Sequence, residues 1–423
     1  MQGDGGVTDQ PPTAEPLSIW RNPDFLLLWS GRSVSALGSS VSSIAFPFLI
    51  LALTNSPALA GIGAALGTLS SVLLGLPAGA LADRWDKKRT MVLCEAGRAL
   101  TLGSIPIALW TGHLSLLHLY MANVIEGTLR VFYGRANILA RTTVVPPEQF
   151  AATWAQDEAT YYAAGLIGPA VGGALYQIGR GLPFLIDAIS YLVSALSLLF
   201  MRANLGPKRV EQTRRLGAEV REGLAWVWQS PLIRSLSLLD AGQTLAASGL
   251  GLLVIVVAKQ QHASPGTIGL IFSISAIGGI LGSLLGGQVQ KLLTFGQTMM
   301  TVMWALTGLW LLYTVAHGAL MLGLVTAGIY FLNPAKNVAL VSYALPRIPE
   351  EIRGQVLGVW DFIPDTMALA GPPLMGFALQ FAGVTPTAIG ASAVVLLTAL
   401  FATLNPAIRN APRGSQMHAA GRT

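Results

Sequence analysis

The stretch that decides the fold is Gly79-Ala80-Leu81-Ala82-Asp83-Arg84-Trp85-Asp86-Lys87-Lys88-Arg89, which lies between two long apolar segments. Its first residues are small, and small residues let two helices approach each other closely in a membrane. The first acidic residue is followed by a cluster of bases, which marks a short loop held at a membrane surface. The stretch therefore indicates a connection between two membrane-spanning helices.

The composition also indicates an integral membrane protein. Hydrophobic residues make up 52% of the 423-residue chain and charged residues only 11%, whereas an ordinary globular domain carries about 25% charged residues. The apolar residues come in blocks of roughly 20, the length that crosses about 30 Å of hydrocarbon. Backbone polar groups in lipid must be satisfied within the chain, and strand-type alternation is absent from the sequence, so these blocks are predicted to be helices.

The apolar blocks predict an all-α membrane protein with twelve transmembrane helices in two pseudo-symmetric six-helix bundles. The predicted spans are 25–53, 58–82, 90–110, 116–140, 151–177, 182–201, 232–257, 265–290, 297–316, 319–345, 354–380 and 386–405. The predicted domains are an N-terminal tail (1–24), a first bundle (25–201), a linker with an amphipathic helix (202–231), a second bundle (232–405) and a C-terminal tail (406–423).

The positions of Lys and Arg predict the orientation, because cytoplasmic loops carry an excess of bases. Bases cluster after the second span, between the sixth and seventh spans and near the C-terminus, whereas the opposite side offers only Arg180 and Lys259. Both termini are therefore expected in the cytoplasm, which requires an even number of spans.

The two halves of the sequence resemble each other at an offset a little above 200 residues. Asn22-Pro23 before the first span matches Ser230-Pro231 before the seventh. Gly168-Pro169 with Gly172 matches Gly371-Pro372 with Gly376. Repeated six-helix halves are typical of alternating-access transporters, in which the substrate site lies near the midplane of the membrane between the halves.

Together these features resemble the major facilitator superfamily over nearly the whole chain. The opening stretch is similar to that superfamily's signature loop between the second and third spans, in which Gly79 is the leading small residue. Asp83 matches the signature acid, and its bases are matched by Arg84, Lys87, Lys88 and Arg89. The resemblance implies a cytoplasmic latch, in which Asp83 meets Arg353 and the positive N-terminus of the eleventh span.

A second motif resembles the fifth-span motif of antiporters and exporters. Gly168, Pro169, Gly172 and Gly173 match it, and Ala164 replaces its leading glycine. A simple helix-packing role for these small residues stays open as the alternative. The segments 20–25 and 353–358 resemble a bacterial exporter branch that includes macrolide-efflux proteins and the enterobactin exporter.

Ionisable residues within the spans are functional candidates, because an unpaired charge in a membrane is expensive. The repeat aligns Arg32 in the first span with Asp240 in the seventh, so this pair is predicted to bridge the two halves as a cytoplasmic-half gate or a proton-responsive ion pair. The alternative is that each residue pairs within its own half.

Five residues are candidates for proton coupling: Glu126, Arg130, Asp157, Asp361 and Asp365. Asp361 and Asp365 share one helical face, where two carboxylates in a low dielectric resist simultaneous ionisation. Asp157 lies near the repeat position of Asp361. Glu126 and Arg130 are one turn apart and either form a proton site or simply neutralise each other. The alternative for Asp157, Asp361 and Asp365 is exposure to cytoplasmic water near the start of a span.

Other side chains within the spans are candidates for lining a substrate cavity, although packing between helices is an alternative for each. They are Phe46, Asn123, Tyr161, Gln243, Asn333 and Trp360. The sequence contains no phosphate-binding loop, no metal signature and no nucleophile elbow, and Cys94 is its single cysteine. We therefore predict neither an enzyme nor a bound metal or cofactor.

The resemblance implies a secondary active transporter in a bacterial inner membrane. It would be a proton-coupled exporter, or antiporter, of small amphipathic organic molecules such as drugs or siderophores. The expected partners are a small-molecule substrate, protons and the lipid bilayer, without nucleic acid, and the chain is expected to act as a monomer. Two alternatives are a flippase-type transporter of lysophospholipid and a non-transporting membrane sensor of the same fold, which a plugged cavity would favour.

Overall fold

The computed structural model describes residues 19–146, 149–206, 216–349 and 352–409. The long elements in these residues are α-helices, and short 3₁₀ turns occur at Ile19–Arg21 and Leu345–Arg347. The helices are α1 Pro23–Ser43, α2 Ala45–Thr54, α3 Pro57–Arg84, α4 Lys87–Trp110, α5 Leu116–Val144, α6 Phe150–Ile178, α7 Leu182–Phe200, α8 Leu216–Gln229, α9 Pro231–Gln260, α10 Pro265–Leu292, α11 Phe295–Leu312, α12 Gly318–Ala344, α13 Arg353–Phe381, α14 Val384–Leu404 and α15 Pro406–Arg409. Most of the two predicted tails, at 1–18 and 410–423, and part of the linker, at 207–215, lie outside the described residues.

Each predicted span corresponds to one long helix, except that the first span is formed by α1 and α2 together. The break lies at Ile44, between Ser43 and Ala45. Pro47 explains it, because proline has no N–H with which to bond the carbonyl of Ser43 four residues earlier. The helix of the first span is therefore interrupted at Ile44.

The signature stretch is more helical than its charges suggested. Helix α3 continues to Arg84, and α4 begins at Lys87, so only two residues connect them. Asp86 makes this short connection possible, because its side chain accepts a hydrogen bond from the backbone N–H of Arg89 at 2.8 Å and caps α4. The bases at 87–89 thus lie in the first turn of a helix rather than in a loop.

Eight helical segments among the described residues are long and apolar enough to cross a membrane, judged by length and composition. Helices α5, α6, α11 and α13 do not meet that criterion. Helix α5 carries four charged residues, Glu126, Arg130, Arg135 and Arg141, whereas α6 carries only Asp157 and Glu158. Intramembrane charges also lie on helices that meet the criterion, such as Arg98 on α4 and Asp187 on α7.

The long helices form two related halves. In the N-half (α1–α7), α1 packs against α6 and α7, α3 against α5, and α4 against α5 and α7. In the C-half (α9–α14), the corresponding pairs are α9 with α13 and α14, α10 with α12, and α11 with α12 and α14. The halves meet along α3 with α13 and along α6 with α10, two contacts that the repeat also relates to each other.

Candidate functional site

A cavity of about 960 Å³ lies between the two halves. Helices α1 to α7 supply most of its lining, and α9, α10, α12 and α13 complete it. It reaches from Ile50 and Ala60 to Arg141 and Trp154, which lie near the end of the bundle where the described termini are found. The cavity is thus large enough for a small organic molecule.

Glu126 on α5 is the first of two carboxylates in the cavity wall. It accepts a hydrogen bond from Arg98 Nη2 at 2.8 Å, and Arg130 Nε lies 3.8 Å from its second oxygen. Arg130 also donates to the carbonyl of Gly67 on α3 at 3.1 Å. Its side chain is 52% exposed, whereas that of Glu126 is 13% exposed. The predicted pair of Glu126 and Arg130 is therefore one edge of a larger cluster.

Asp157 on α6 is the second carboxylate in the wall. One of its oxygens is shared by two ion pairs, with Arg32 on α1 and with Arg141 on α5. Arg141 also donates to Asn137 at 3.2 Å and lies over the ring of Trp154 at 5.3 Å. A single acid thus joins three helices of the N-half, and neutralising it would leave two guanidinium groups without that partner.

Two further acids lie behind the wall and are fully buried. Glu95 on α4 accepts hydrogen bonds from Ser35 at 3.3 Å and from Ser194 at 3.2 Å. Asp187 on α7 accepts from Ser42 at 2.5 Å and from Ser190 at 3.2 Å. Serine hydroxyls therefore satisfy much of the hydrogen-bonding capacity of these acids inside the bundle.

The C-half contributes a different kind of wall. Its described lining residues include Leu252, Ile255, Phe272 and Tyr330, and none of them is charged. An ion pair of the C-half, Lys336 Nζ with Asp240 Oδ1 at 2.6 Å, joins α12 to α9 and is not part of the described lining. A molecule in the cavity would therefore meet charge on one side and an apolar surface on the other.

The cavity is closed at the end opposite the described termini by close backbone contacts between the halves. Added side-chain atoms at four glycines would overlap backbone carbonyls of the other half: Gly61 with Pro372, Gly269 with Pro169, Gly173 with Pro265 and Gly376 with Pro57. Gln380 adds a polar contact, because it accepts hydrogen bonds from Ser56 Oγ at 2.5 Å and from the Ala58 N–H at 3.2 Å. Only glycine permits such an approach of two helices.

These contacts locate the residues of the predicted antiporter-type motif. Gly168 and Gly172 pack against Ser40 and Val41 of α1, within the N-half. Gly173 and the Pro169 carbonyl contact α10 across the interface between the halves. Ala164 is buried, and its carbonyl accepts a hydrogen bond from Ser40 at 2.8 Å. In this conformation the motif therefore packs helices at the closed end.

The predicted gate pair is not formed in this conformation. Arg32 pairs with Asp157 and Asp240 pairs with Lys336, so each residue is neutralised within its own half, as the alternative interpretation expected. A bridge between Arg32 and Asp240 stays a prediction for another conformation of the protein.

Other predicted site residues divide into three groups. Phe46, Asn123 and Tyr161 line the cavity, as do the coupling candidates Glu126, Arg130 and Asp157. Gln243, Asn333, Trp360 and Asp365 are absent from the described lining, and Gln243 is buried with a 2.7 Å hydrogen bond to Thr398. The side chains of Asp83, Arg353 and Asp361 lie outside the described residues, so the latch and the pairing of Asp361 with Asp365 stay predictions.

Two bases of the signature stretch, Lys87 and Lys88, bind backbone carbonyls at and beyond the end of α7. Lys88 Nζ donates to the carbonyls of Leu199 at 2.9 Å and Met201 at 2.7 Å, at the C-terminal end of α7. Lys87 donates to the carbonyl of Gly206 at 3.3 Å, and Arg84 and Arg89 are exposed. Positive charge at a helix C-terminus stabilises its unpaired carbonyls. Lys87 and Lys88 therefore hold the end of α7 and the chain that follows it.

Comparison with known proteins identifies the family. The family model described as transmembrane secretion effector matches residues 14–419. The chain belongs to this family. It is a group of major facilitator transporters, not of enzymes, and the protein is therefore a secondary transporter with an all-helical membrane fold.

Individual relatives of this transporter are distant. The multidrug efflux pump Tap of Mycolicibacterium fortuitum is 26% identical over 92% of this chain and 97% of its own. The enterobactin exporter EntS of Citrobacter koseri is 24% identical over 84% of this chain and 85% of its own. A bacterial homologue of the human lysosomal transporter Spinster, solved in an inward-facing and unoccupied conformation, has a TM-score of 0.73 at 15% identity over 93% of this chain and 98% of its own. At that identity the likeness shows the fold alone.

Three residues of the site were missed by sequence reasoning: Glu95, Arg98 and Arg141. Glu95 and Arg98 lie within the predicted third span, so the rule that selects ionisable residues inside spans would have found them. Arg141 lies just beyond the predicted end of the fourth span, at 140, whereas α5 continues to Val144. Because the fourth span was predicted to end too early, Arg141 was not counted as an ionisable residue within a span.

Proposed function

We propose that this transporter exports small amphipathic organic molecules in exchange for protons. The observation that carries the proposal is the two-sided cavity, with Glu126 and Asp157 on the N-half wall and an apolar C-half wall. Such a surface suits a molecule with one polar and one apolar side. The efflux and export activities named for the Tap and EntS relatives support the outward direction.

Each of the two acids in the cavity wall can bind a proton when cargo is absent and release it when cargo binds. Neutralising Glu126 or Asp157 would weaken its ion pairs to arginines on neighbouring helices, and so would link proton binding to helix packing. One elementary charge that moves through 100 mV supplies about 2.3 kcal/mol, which sustains a roughly forty-fold gradient of cargo. Hydrolysis of a nucleotide is not required.

The orientation predicted from the bases completes the proposed cycle. With both termini in the cytoplasm of a bacterium, the end closed by Gly61, Gly173, Gly269 and Gly376 would face outward, and the cavity would receive cargo from the cytoplasm. Closure on the cytoplasmic side would then engage the predicted latch between Asp83 and Arg353. The 960 Å³ cavity counts against a sensor with a plugged centre.

Reconstituted proteoliposomes under an imposed pH gradient test the proposal. Dyes, macrolides, catecholate siderophores and lysophospholipids would be offered in turn, while cargo and proton movements are recorded together. We expect at least one amphipathic organic cargo to drive proton movement in the opposite direction. Glu126→Gln and Asp157→Asn should reduce that coupling, whereas Glu158→Gln, which changes the exposed neighbour of Asp157, serves as the matched control.

Three results would contradict parts of the proposal. Cargo movement without protons would indicate facilitated diffusion. Transport of lysophospholipid alone would favour the flippase alternative. Failure of the wild-type protein to move any of these compounds would favour a non-transporting role.

A further inference from the structure

Arg98 on α4 lies between two carboxylates that face it from different sides. Its Nη2 is 2.8 Å from Glu126 Oε1 at the cavity wall, and its Nη1 is 3.8 Å from Glu95 Oε1 behind the wall. The first contact is a hydrogen-bonded ion pair, while the second is too long to be a hydrogen bond. The Arg98 side chain is only 4% exposed, so its charge must be balanced within the protein.

The second contact leaves groups on both residues unused. Glu95 Oε2 and Arg98 Nε are buried and have no hydrogen-bond partner among the described residues. Unpaired polar groups in a protein interior are rare and unfavourable. A short rotation of Arg98 toward Glu95 would bring these two groups together. The two residues are three positions apart on one helix, so the rotation needs no movement of α4.

We propose that Arg98 exchanges one carboxylate for the other during the transport cycle. It binds Glu126 while that acid is charged and free of cargo. When a proton or a positive group of the cargo neutralises Glu126, Arg98 turns to Glu95 and forms a two-point ion pair with it. Glu95 and Arg98 are thus positioning residues, which convert the occupancy of Glu126 into a rearrangement inside the N-half.

The other charged groups near Arg98 are committed elsewhere. Asp187 on α7 accepts hydrogen bonds from two serines and, unlike Glu95 at 3.8 Å, makes no ion pair with Arg98 among the described residues. Asp157 on α6 pairs with Arg32 of α1 and Arg141 of α5. Arg130 on α5 is a cation and would repel Arg98 rather than balance it. Among the described carboxylates, Glu95 is therefore the one placed to receive Arg98.

The exchange would also change side-chain contacts on two other helices, α7 and α1. Arg98 donates to Tyr191 Oη on α7 at 2.7 Å and lies over its ring at 4.0 Å. Tyr191 Oη is in turn 2.8 Å from Ser39 Oγ on α1, which lines the cavity. Rotation of Arg98 would disturb both contacts. The occupancy of Glu126 is thereby linked to the packing of α1, α4 and α7.

An experimental structure of the Glu126→Gln variant tests the exchange directly, because glutamine imitates a neutralised acid in size and shape. We expect the gap of 3.8 Å between Arg98 and Glu95 to close to a hydrogen bond of about 2.7–2.9 Å. An Arg98 that stays between the substituted side chain and Tyr191, with the gap to Glu95 unchanged, would overturn the proposal.

A double-mutant cycle in detergent gives a second test. Glu126→Gln and Glu95→Gln each leave Arg98 one carboxylate, whereas the double variant removes both. We expect the melting temperature of the double variant to fall by about 5 °C or more beyond the sum of the single changes. Glu95→Gln combined with Asp157→Asn is the control and should be additive, since Asp157 serves other arginines. Additivity in the first cycle would contradict the proposal.

A third test uses export, and only this one rests on the proposed function. Glu95→Gln should lower the maximal export rate several-fold, with little change in the cargo concentration at half-maximal rate, and Glu95→Asp should restore the rate. Unchanged export by Glu95→Gln would count against the exchange. If the wild-type protein moves no cargo, the proposed function fails, while the first two tests still decide whether the exchange occurs.

Discussion

The two halves of this transporter share one arrangement of helices but use different chemistry at equivalent positions. In the N-half, Glu95 on α4 accepts hydrogen bonds from Ser35 on α1 and Ser194 on α7. Between the corresponding helices of the C-half, the residues that meet are Met303 on α11, Gln243 on α9 and Thr398 on α14. Gln243 donates to Thr398 at 2.7 Å and to the Met303 sulfur at 3.0 Å, so this layer is held without any charge.

The cavity shows the same contrast. Every described charged residue in its lining belongs to the N-half, while the C-half offers Leu252, Ile255, Phe272 and Tyr330 among others. Because the backbones of the two halves correspond, the helix packing cannot be the source of this difference. The repeat therefore determines the arrangement of the helices, whereas the side chains at matching places in the two halves differ in chemistry. The N-half supplies the charged side chains of the described lining, and the C-half provides an apolar surface.

Removing the central cation of the N-half should have the largest effect. Arg98→Met would leave Glu126 and Glu95 without it, and breaking such a buried pair costs about 3–5 kcal/mol. We expect a fall in melting temperature of about 10 °C in detergent.

The matched change in the C-half is Gln243→Met, which removes a neutral hydrogen bond and should cost only about 1 kcal/mol. Similar melting temperatures for Arg98→Met and Gln243→Met would show that the charged layer of the N-half contributes no more to stability than the neutral layer of the C-half.

Changes at the closed end should affect the two halves equally, because the contacts there are symmetric. Gly173→Ala would press against the Pro265 carbonyl, and Gly376→Ala against that of Pro57. Overpacking of about 1–3 kcal/mol corresponds to a shift of roughly 5- to 140-fold away from this conformation. Disulfide cross-linking between cysteines that replace Ser56 and Gln380 measures the fraction of the protein that is closed at this end.

Gly308→Ala is the control for these two variants, since an added methyl there has no neighbour within 4 Å. Loss of cross-linking in one glycine variant but not in the other would show that the closed end is less symmetric than its contacts indicate.

The predicted pair of Arg32 and Asp240 should have a smaller effect. If the two residues meet when the cavity closes at the other end, Arg32→Ala and Asp240→Ala should be non-additive in export by about 0.5–1 kcal/mol, or roughly two- to fivefold. The exchange of the two charges, Arg32→Asp with Asp240→Arg, should recover part of the lost export. Strict additivity would show that Arg32 and Asp240 do not pair with each other and that each interacts only with its partner in its own half.

The smallest effect is expected on the apolar wall. Tyr330→Phe keeps the ring and should change cargo affinity less than twofold, whereas Tyr330→Ala removes about 1 kcal/mol of contact and should weaken binding about fivefold. Binding of the best cargo from the proteoliposome screen, measured in detergent, would show both. If Tyr330→Phe were as damaging as Tyr330→Ala, the C-half wall would recognise cargo through a polar group after all.

Much of the candidate site could have been predicted from the sequence, and the omissions have identifiable causes. Arg32, Glu126, Arg130 and Asp157 were selected because they lie within apolar spans, and all four line the cavity. Their partners were not predictable, because an ion pair depends on which helix faces which. Gln243 and Trp360 have the same polar or aromatic character as Asn123 and Tyr161, yet they are buried outside the described lining.

The sequence by itself determined the number of long helices and the twofold repeat of their arrangement. These follow from local physics, since apolar blocks of a fixed length must bond their own backbone within a membrane. Only the tertiary structure decided that Arg98 lies between Glu126 and Glu95, that Asp157 serves two arginines, and that the C-half wall is free of charge in its described part. Such contacts join residues that are far apart in the chain, and their distances are set by how whole helices pack rather than by any pattern along one helix.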